Sequence, residues 1–123
     1  MDGYKCVRGG LIMNLTIDIE EKVSQVIMTL AGEIDIYTAP KLKDKLNELV
    51  SSKNADVIVD LQGVSYMDST GLGTFVSGLK HAEDSESKLK LIGANERLLR
   101  LFQVTGLDDV IDVSSAEEGD LNG

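Results

Sequence analysis

The hydrophobic period of this chain switches back and forth between two values, and that alternation restricts the fold more than any other feature. Leu15-Thr16-Ile17-Asp18-Ile19-Glu20 alternates apolar and polar, the period of a strand with one wet face. Val26 to Leu30 is a nearly continuous apolar run ending at Gly32, which reads as a more buried strand. A turn over Glu21 to Ser24 makes these two an antiparallel hairpin. Thr38-Ala39-Pro40 then signals a helix start, because Thr38 can cap and a proline in the first turn loses no needed hydrogen bond. Leu42, Leu46, Leu49 and Val50 form one helical stripe, closed by Ser51 to Asn54. Val57-Ile58-Val59 is short and β-branched, a buried central strand, and Gly63 to Met67 reads as a connection. Leu72, Phe75, Val76 and Leu79 return to helical spacing, so a second helix runs from about Ser69 to Glu83. Lys88 to Ile92 is a fourth strand. Asn95 caps a third helix carrying Leu98, Leu99, Leu101 and Phe102, which Gly106 stops, with Leu107 packing back on Phe102. Val110 to Val113 is a short last strand, and Ser114-x-x-Glu117 caps one more helical turn.

Strands alternating with helices imply parallel pairing with right-handed crossovers. The expected object is an α/β domain: a small, mixed, mostly parallel sheet with an N-terminal hairpin and packed helices. At 123 residues the chain suits one domain, large enough to bury a core without disulfides or metals. Residues 1–12 show no period. We read them as a leader or a misassigned start, with Met13 as the natural one, because the Gly9-Gly10 codons can spell a purine-rich ribosome-binding sequence. The domain then covers residues 13–123 and ends in a short acidic tail with Glu117, Glu118 and Asp120.

Composition narrows the function. With 12 Lys+Arg against 21 Asp+Glu, the net charge is −9, which argues against direct nucleic-acid binding, since phosphate-backbone affinity rests on cations. Lys41, Lys43 and Lys45 come closest to a basic stripe, but Asp44 and Glu48 interrupt it. The absence of Trp and the few Phe and Tyr make base-stacking platforms unexpected. A single cysteine, Cys6, and a single histidine, His81, leave no cysteine zinc site and no histidine-rich metal site. No apolar run is long enough to span a membrane, and no secretory signal is legible at the N-terminus. A cytoplasmic protein without metal or cofactor is expected.

The informative stretch is Ser65-Tyr66-Met67-Asp68-Ser69-Thr70-Gly71-Leu72-Gly73, where a buried strand ends and a helix begins. Functional groups concentrate at the carboxyl ends of strands in such sheets. Asp68 or Ser69 fills the capping position, and an ordinary helix cap would explain part of the stretch. Three acidic or hydroxyl residues in a row exceed what one cap needs, however. Gly71 and Gly73 each cost a helix about 1 kcal/mol against Ala, while bare glycines let another backbone come close.

Enzymatic readings of this stretch fail on geometry. A nucleophile elbow needs G-x-S-x-G, and Met67 replaces the first glycine. The one candidate base, His81, lies about 18 Å along the same helix, out of hydrogen-bond reach. A phosphate loop needs G-x-x-x-x-G-K-[ST]; Gly73 and Gly78 have the spacing, but Leu79 replaces the lysine. The dinucleotide pattern G-x-G-x-x-G fails at Val76. The remaining reading is a displayed hydroxyl that another protein modifies.

Val64 to Gly73, preceded by Gly32-Glu33-Ile34-Asp35-Ile36-Tyr37-Thr38-Ala39-Pro40 and followed by Arg97-Leu98-Leu99-Arg100-Leu101-Phe102 and Thr105-Gly106-Leu107, resembles the bacterial anti-sigma factor antagonists, which are single STAS domains. The match runs from Met13 to about Val113. Tyr37-Thr38-Ala39-Pro40 after Asp35, and Thr70 after Ser69, make it more like the general stress (sigma-B) antagonist than the sporulation one. The resemblance implies a non-enzymatic partner-switching protein. Its unphosphorylated form would bind an anti-sigma factor that is also a serine kinase, freeing the sigma factor. That kinase would phosphorylate Ser69, with Thr70 a minor acceptor, and a metal-dependent Ser/Thr phosphatase would restore the hydroxyl. Asp35, Tyr37, Asp68, Thr70, Gly71 and Gly73 would belong to the partner-binding surface. Asp35 also has an ordinary use as a turn residue, and Arg97 and Arg100 read as a solvated face rather than a phosphate clamp. The alternative is a ligand-sensing or scaffold STAS module of a stress-signalling complex.

Overall fold

The structure, a computed structural model, describes residues 14–115. The leader over residues 1–12, the start at Met13 and the acidic tail from Glu117 lie outside them. Five strands and three α-helices follow in the order β1 (Leu15–Glu21), β2 (Val26–Ile34), α1 (Ala39–Val50), β3 (Asp56–Met67), α2 (Ser69–Asp84), β4 (Lys88–Ala94), α3 (Glu96–Val104) and β5 (Asp112–Ser115), with a 3₁₀ turn over Leu107–Asp109 before β5. The sheet order is β1-β2-β3-β4-β5. β1 pairs with β2 antiparallel, as the alternating pattern and turn require, and the remaining neighbours are parallel.

One face of the sheet carries the helices. Leu15 and Ile17 of β1, Met28 and Leu30 of β2, Val57, Val59 and Leu61 of β3, and Leu89 and Leu91 of β4 are buried under Leu42, Leu46 and Val50 of α1, Phe75 of α2, and Leu98 and Phe102 of α3. The Phe75 and Phe102 rings meet at 6.3 Å between centroids, tilted by 59°, within the range aromatic pairs favour. Gly78 lets the two long helices close up: a Cβ there would stand 2.6 Å from Leu46 Cδ2.

Four sequence expectations need correction. Gly32 does not end β2. It sits at φ +119°, and a Cβ on it would lie against the Asn14 carbonyl, so the glycine carries the strand through a tight approach of β1 to Ile34. Gly63 to Met67 is strand rather than connection, because β2 runs on beside it with Ala31 opposite Gly63 and Ile34 opposite Met67. Val76 is exposed, not core; Leu72, Phe75, Gly78 and Ala82 make the buried face of α2. The last strand is shifted to Asp112–Ser115, which places Ser114 in β5; the rest of the helical turn expected from Ser114 to Glu117 lies outside the described residues. Val110 is exposed while Ile111 is buried.

The end of α3 follows expectation in part. Gly106 takes φ +78°, its N–H reaches the Gln103 carbonyl at 3.1 Å, and Leu107 packs partly buried against the core.

Candidate functional site at the carboxyl ends of β2 and β3

The joint extension of β2 and β3 brings two chain segments to the same sheet edge. Ile34 and Met67 end side by side, and the Asp68 N–H donates to the Ile34 carbonyl at 3.2 Å. The loop 35–38 leading into α1 therefore lies beside the start of α2.

Asp68 is the N-cap of α2. Its extended backbone (φ −109°, ψ −171°) aims the carboxylate back at the helix, where Oδ1 accepts from Thr70 N at 3.0 Å and Gly71 N at 3.1 Å. That resolves the choice left open by the sequence. Ser69 is the first helical residue, exposed, and its hydroxyl has no hydrogen-bond partner among the described residues. Thr70 is exposed beside it, and its carbonyl accepts from the buried Thr74 hydroxyl at 3.4 Å.

The loop before α1 is held by two side chains. Asp35 Oδ1 accepts from Tyr37 N at 2.9 Å and Thr38 N at 3.1 Å, the local turn bonding that Asp favours. Thr38 sits at the N-cap position of α1 but makes no side-chain cap bond, contrary to the sequence expectation. Its hydroxyl is buried and turned into the loop, donating to the Glu33 carbonyl at 2.9 Å and accepting from Asp35 N at 2.9 Å. The reason is conformational: Thr38 has a helical backbone (φ −98°, ψ −25°) rather than the extended one of a capping residue, and Pro40 offers no N–H to cap, so the threonine oxygen closes the loop instead.

Asp35 and Thr38 thereby hold Ile36 and Tyr37 outward. With Tyr66 near the end of β3 and Val76 on α2, these are large apolar side chains between 42% and 60% exposed. Ile36, Tyr37 and Tyr66 stand at the paired ends of β2 and β3, where exposed apolar area can serve an interaction surface, and tyrosine is enriched at binding hot spots. Sequence reasoning named Tyr37 and missed Ile36, Tyr66 and Val76. Val76 was misread because its spacing fits the helical stripe; Tyr66 was hidden in a segment read as connection.

The two site glycines differ. A Cβ on Gly71 would stand 2.6 Å from Met67 Cγ, 2.7 Å from Ile34 Cγ2 and 3.2 Å from the Ile34 carbonyl, so this glycine lets α2 start hard against the strand ends. A Cβ on Gly73 would meet nothing within 4 Å. Gly73 lines a groove of about 420 Å³ between the first halves of α1 and α2, together with Ala39, Pro40, Lys43, Thr70 and Thr74.

The candidate base of the hydrolase reading is remote in function as well as sequence: exposed His81 uses Nδ1 on the Ser77 carbonyl at 2.9 Å, within its own helix. Arg97 and Arg100 are exposed on α3, where they line a separate groove with Glu96, Leu99 and Gln103. No cluster of metal-ligating side chains occurs among the described residues, and no helix among them is long and apolar enough to cross a membrane.

Comparison with known proteins agrees with this architecture. The STAS domain family model matches residues 16–119. The anti-sigma-B factor antagonist of Bacillus subtilis is 46% identical over 107 residues, 87% of this chain and 97% of that protein. Among solved structures, an anti-sigma factor antagonist from Mycobacterium paratuberculosis superposes with a TM-score of 0.73 at 22% identity, over 81% of this chain and 85% of the other. The Bacillus cell fate determinant SpoIIAA superposes in its unphosphorylated form with a TM-score of 0.66, over 83% of this chain and 90% of the other. Its phosphorylated form gives 0.62, over 83% and 94%, and both forms are 20% identical to this chain. The chain belongs to the STAS-domain family of bacterial anti-sigma factor antagonists.

Proposed function

We propose that this protein is a cytoplasmic anti-anti-sigma factor, without enzymatic activity of its own, switched by phosphorylation of Ser69. In its free form it binds an anti-sigma factor that is also a serine kinase, and the sigma factor is released. In the kinase reaction the γ-phosphoryl group of kinase-bound ATP passes to Ser69 Oγ, the hydroxyl proton goes to a base on the kinase, and ADP leaves. A metal-dependent phosphatase then delivers the group to water as inorganic phosphate and restores the hydroxyl.

The observation that carries this reading is the Ser69 hydroxyl: exposed, relieved of capping by Asp68, and without a partner among the described residues. It lies on the edge that also presents Ile36, Tyr37 and Tyr66. An acceptor must reach a kinase active site, and a partner must bury apolar area to bind; both needs meet at one surface. Asp35 acts as a positioning residue for Ile36 and Tyr37, and Thr70 is a secondary acceptor. The 46% identity to a protein named anti-sigma-B factor antagonist supports the general stress system over the sporulation one.

The test is incubation with the anti-sigma factor kinase of the same genome and ATP, followed by mass spectrometry of the phosphopeptide. The reading expects one phosphate on Ser69 and a small fraction on Thr70. Modification elsewhere, or none, removes Ser69 from the mechanism.

A further inference from the structure

The three glycines of α2 do not have the same reason to be there. Gly71 and Gly78 leave room for Met67, Ile34 and Leu46, all inside this chain. Gly73 leaves room for nothing: the space a Cβ would fill is open, and its backbone is ordinary right-handed helix, since the positive-φ glycines are Gly32, Gly93 and Gly106. Within the isolated domain a glycine at this place only weakens the helix. A locally unfavourable residue with no internal compensation points to a function outside the fold.

We infer that the bare α2 backbone at Gly73 is a contact surface for a polypeptide segment of the anti-sigma partner, seated in the α1–α2 groove with an acidic side chain against Lys43. The inference rests on the proposed partner binding at Ser69 and extends it along the helix. Two features select this occupant. The groove is continuous with the Ser69 surface, because Thr70 lines it and exposed Val76 follows Gly73 by less than one turn. Lys43 is the one charged side chain among its described lining residues, in a chain of net charge −9. A Cβ at residue 73 would hold the incoming segment off the helix and forfeit the close contacts on both sides.

The experiment measures melting temperature and kinase affinity for the wild type, Gly73→Ala, Lys43→Glu and the surface control Lys80→Ala. Gly73→Ala should raise the melting temperature by roughly 4 °C and weaken binding at least tenfold. Lys43→Glu should also weaken binding at least tenfold, and Lys80→Ala should change neither. A lower melting temperature for Gly73→Ala would show that the glycine serves the fold and overturn the inference, as would wild-type affinity in that variant. Full affinity in Lys43→Glu would remove the acidic segment as occupant. Absence of binding by the wild type itself would instead overturn the partner reading beneath it.

Discussion

Asp68 takes the capping bonds of α2, to Thr70 N at 3.0 Å and Gly71 N at 3.1 Å, and so leaves the neighbouring Ser69 hydroxyl unused by the fold. Two adjacent residues that are equally good caps on composition are separated by their backbone conformation. One holds the helix, and the other is free to be modified.

This division sets opposite expectations for two alanine substitutions. Asp68→Ala should lower the unfolding free energy by about 0.5–2 kcal/mol, the usual range for a lost cap. Ser69→Ala should stay within about 0.5 kcal/mol of the wild type, as for exposed positions without a partner. Urea unfolding of both variants checks this; a loss for Ser69→Ala as large as for Asp68→Ala contradicts the assignment. Ser69→Ala should also keep kinase binding and take up no phosphate at that position.

Gly71→Ala should destabilise the domain by about 1–3 kcal/mol, the cost of overpacking a close-fitted site. The added carbon would meet Met67 Cγ and Ile34 Cγ2 at 2.6 and 2.7 Å, with the Ile34 carbonyl at 3.2 Å blocking an easy shift. Thermal melting reads the effect, and an unchanged midpoint would mean that the two strand ends are looser than the geometry here.

Thr38→Val keeps the volume of a buried side chain and removes its hydroxyl. It leaves Asp35 N–H and the Glu33 carbonyl without the partners they have at 2.9 Å. A loss of about 1–3 kcal/mol is expected for stranded polar groups, with weaker kinase binding as Ile36 and Tyr37 lose their fixed presentation. Thr38→Ser should retain most of both. If Thr38→Ser is as damaging as Thr38→Val, the methyl group rather than the hydroxyl bonds explains the effect.

The fold was legible where periods were clean. The β1–β2 hairpin, the α1 stripe of Leu42, Leu46 and Val50, and the Asn95 cap, which accepts from Leu98 N at 2.8 Å, all follow from local pattern. The far half of β3 was not, because register shifts in β2 between Thr29 and Ala31, and again between Gly32 and Glu33, interrupt the pairing. Burial then falls on Leu61, Val64 and Met67, at intervals of three, which does not resemble a strand. The site was half legible for the same reason. Tyr66, Asp68, Ser69 and Gly71 stand in one run of sequence, with Tyr66 passed over in a segment read as connection, whereas Ile36 joins them only through long-range pairing of the two strand ends. The role of Thr38 was hidden because a hydroxyl before a helix has two competing uses, and tertiary contacts decided between them.

The most direct test of the switch is to phosphorylate Ser69 and measure stability and kinase affinity on the same sample. The group adds about −1.5 to −2 charges at pH 7 at the start of a helix whose first turn holds no acidic residue, where the dipole favours negative charge by roughly 0.3–1 kcal/mol. Within the fold the neighbouring Asp68 carboxylate opposes the charge, but Ser69 is exposed and solvent and salt screen the repulsion. At the interface the dianion must be desolvated beside the Asp68 carboxylate, on an edge that also carries Ile36, Tyr37 and Tyr66. A hundredfold loss of affinity corresponds to about 2.7 kcal/mol, within reach of one uncompensated buried charge. The account predicts a melting temperature within a few degrees of the free protein and kinase binding at least a hundredfold weaker by titration calorimetry. A phosphoprotein that melts far lower, or that binds the kinase as tightly as the free form, would contradict it.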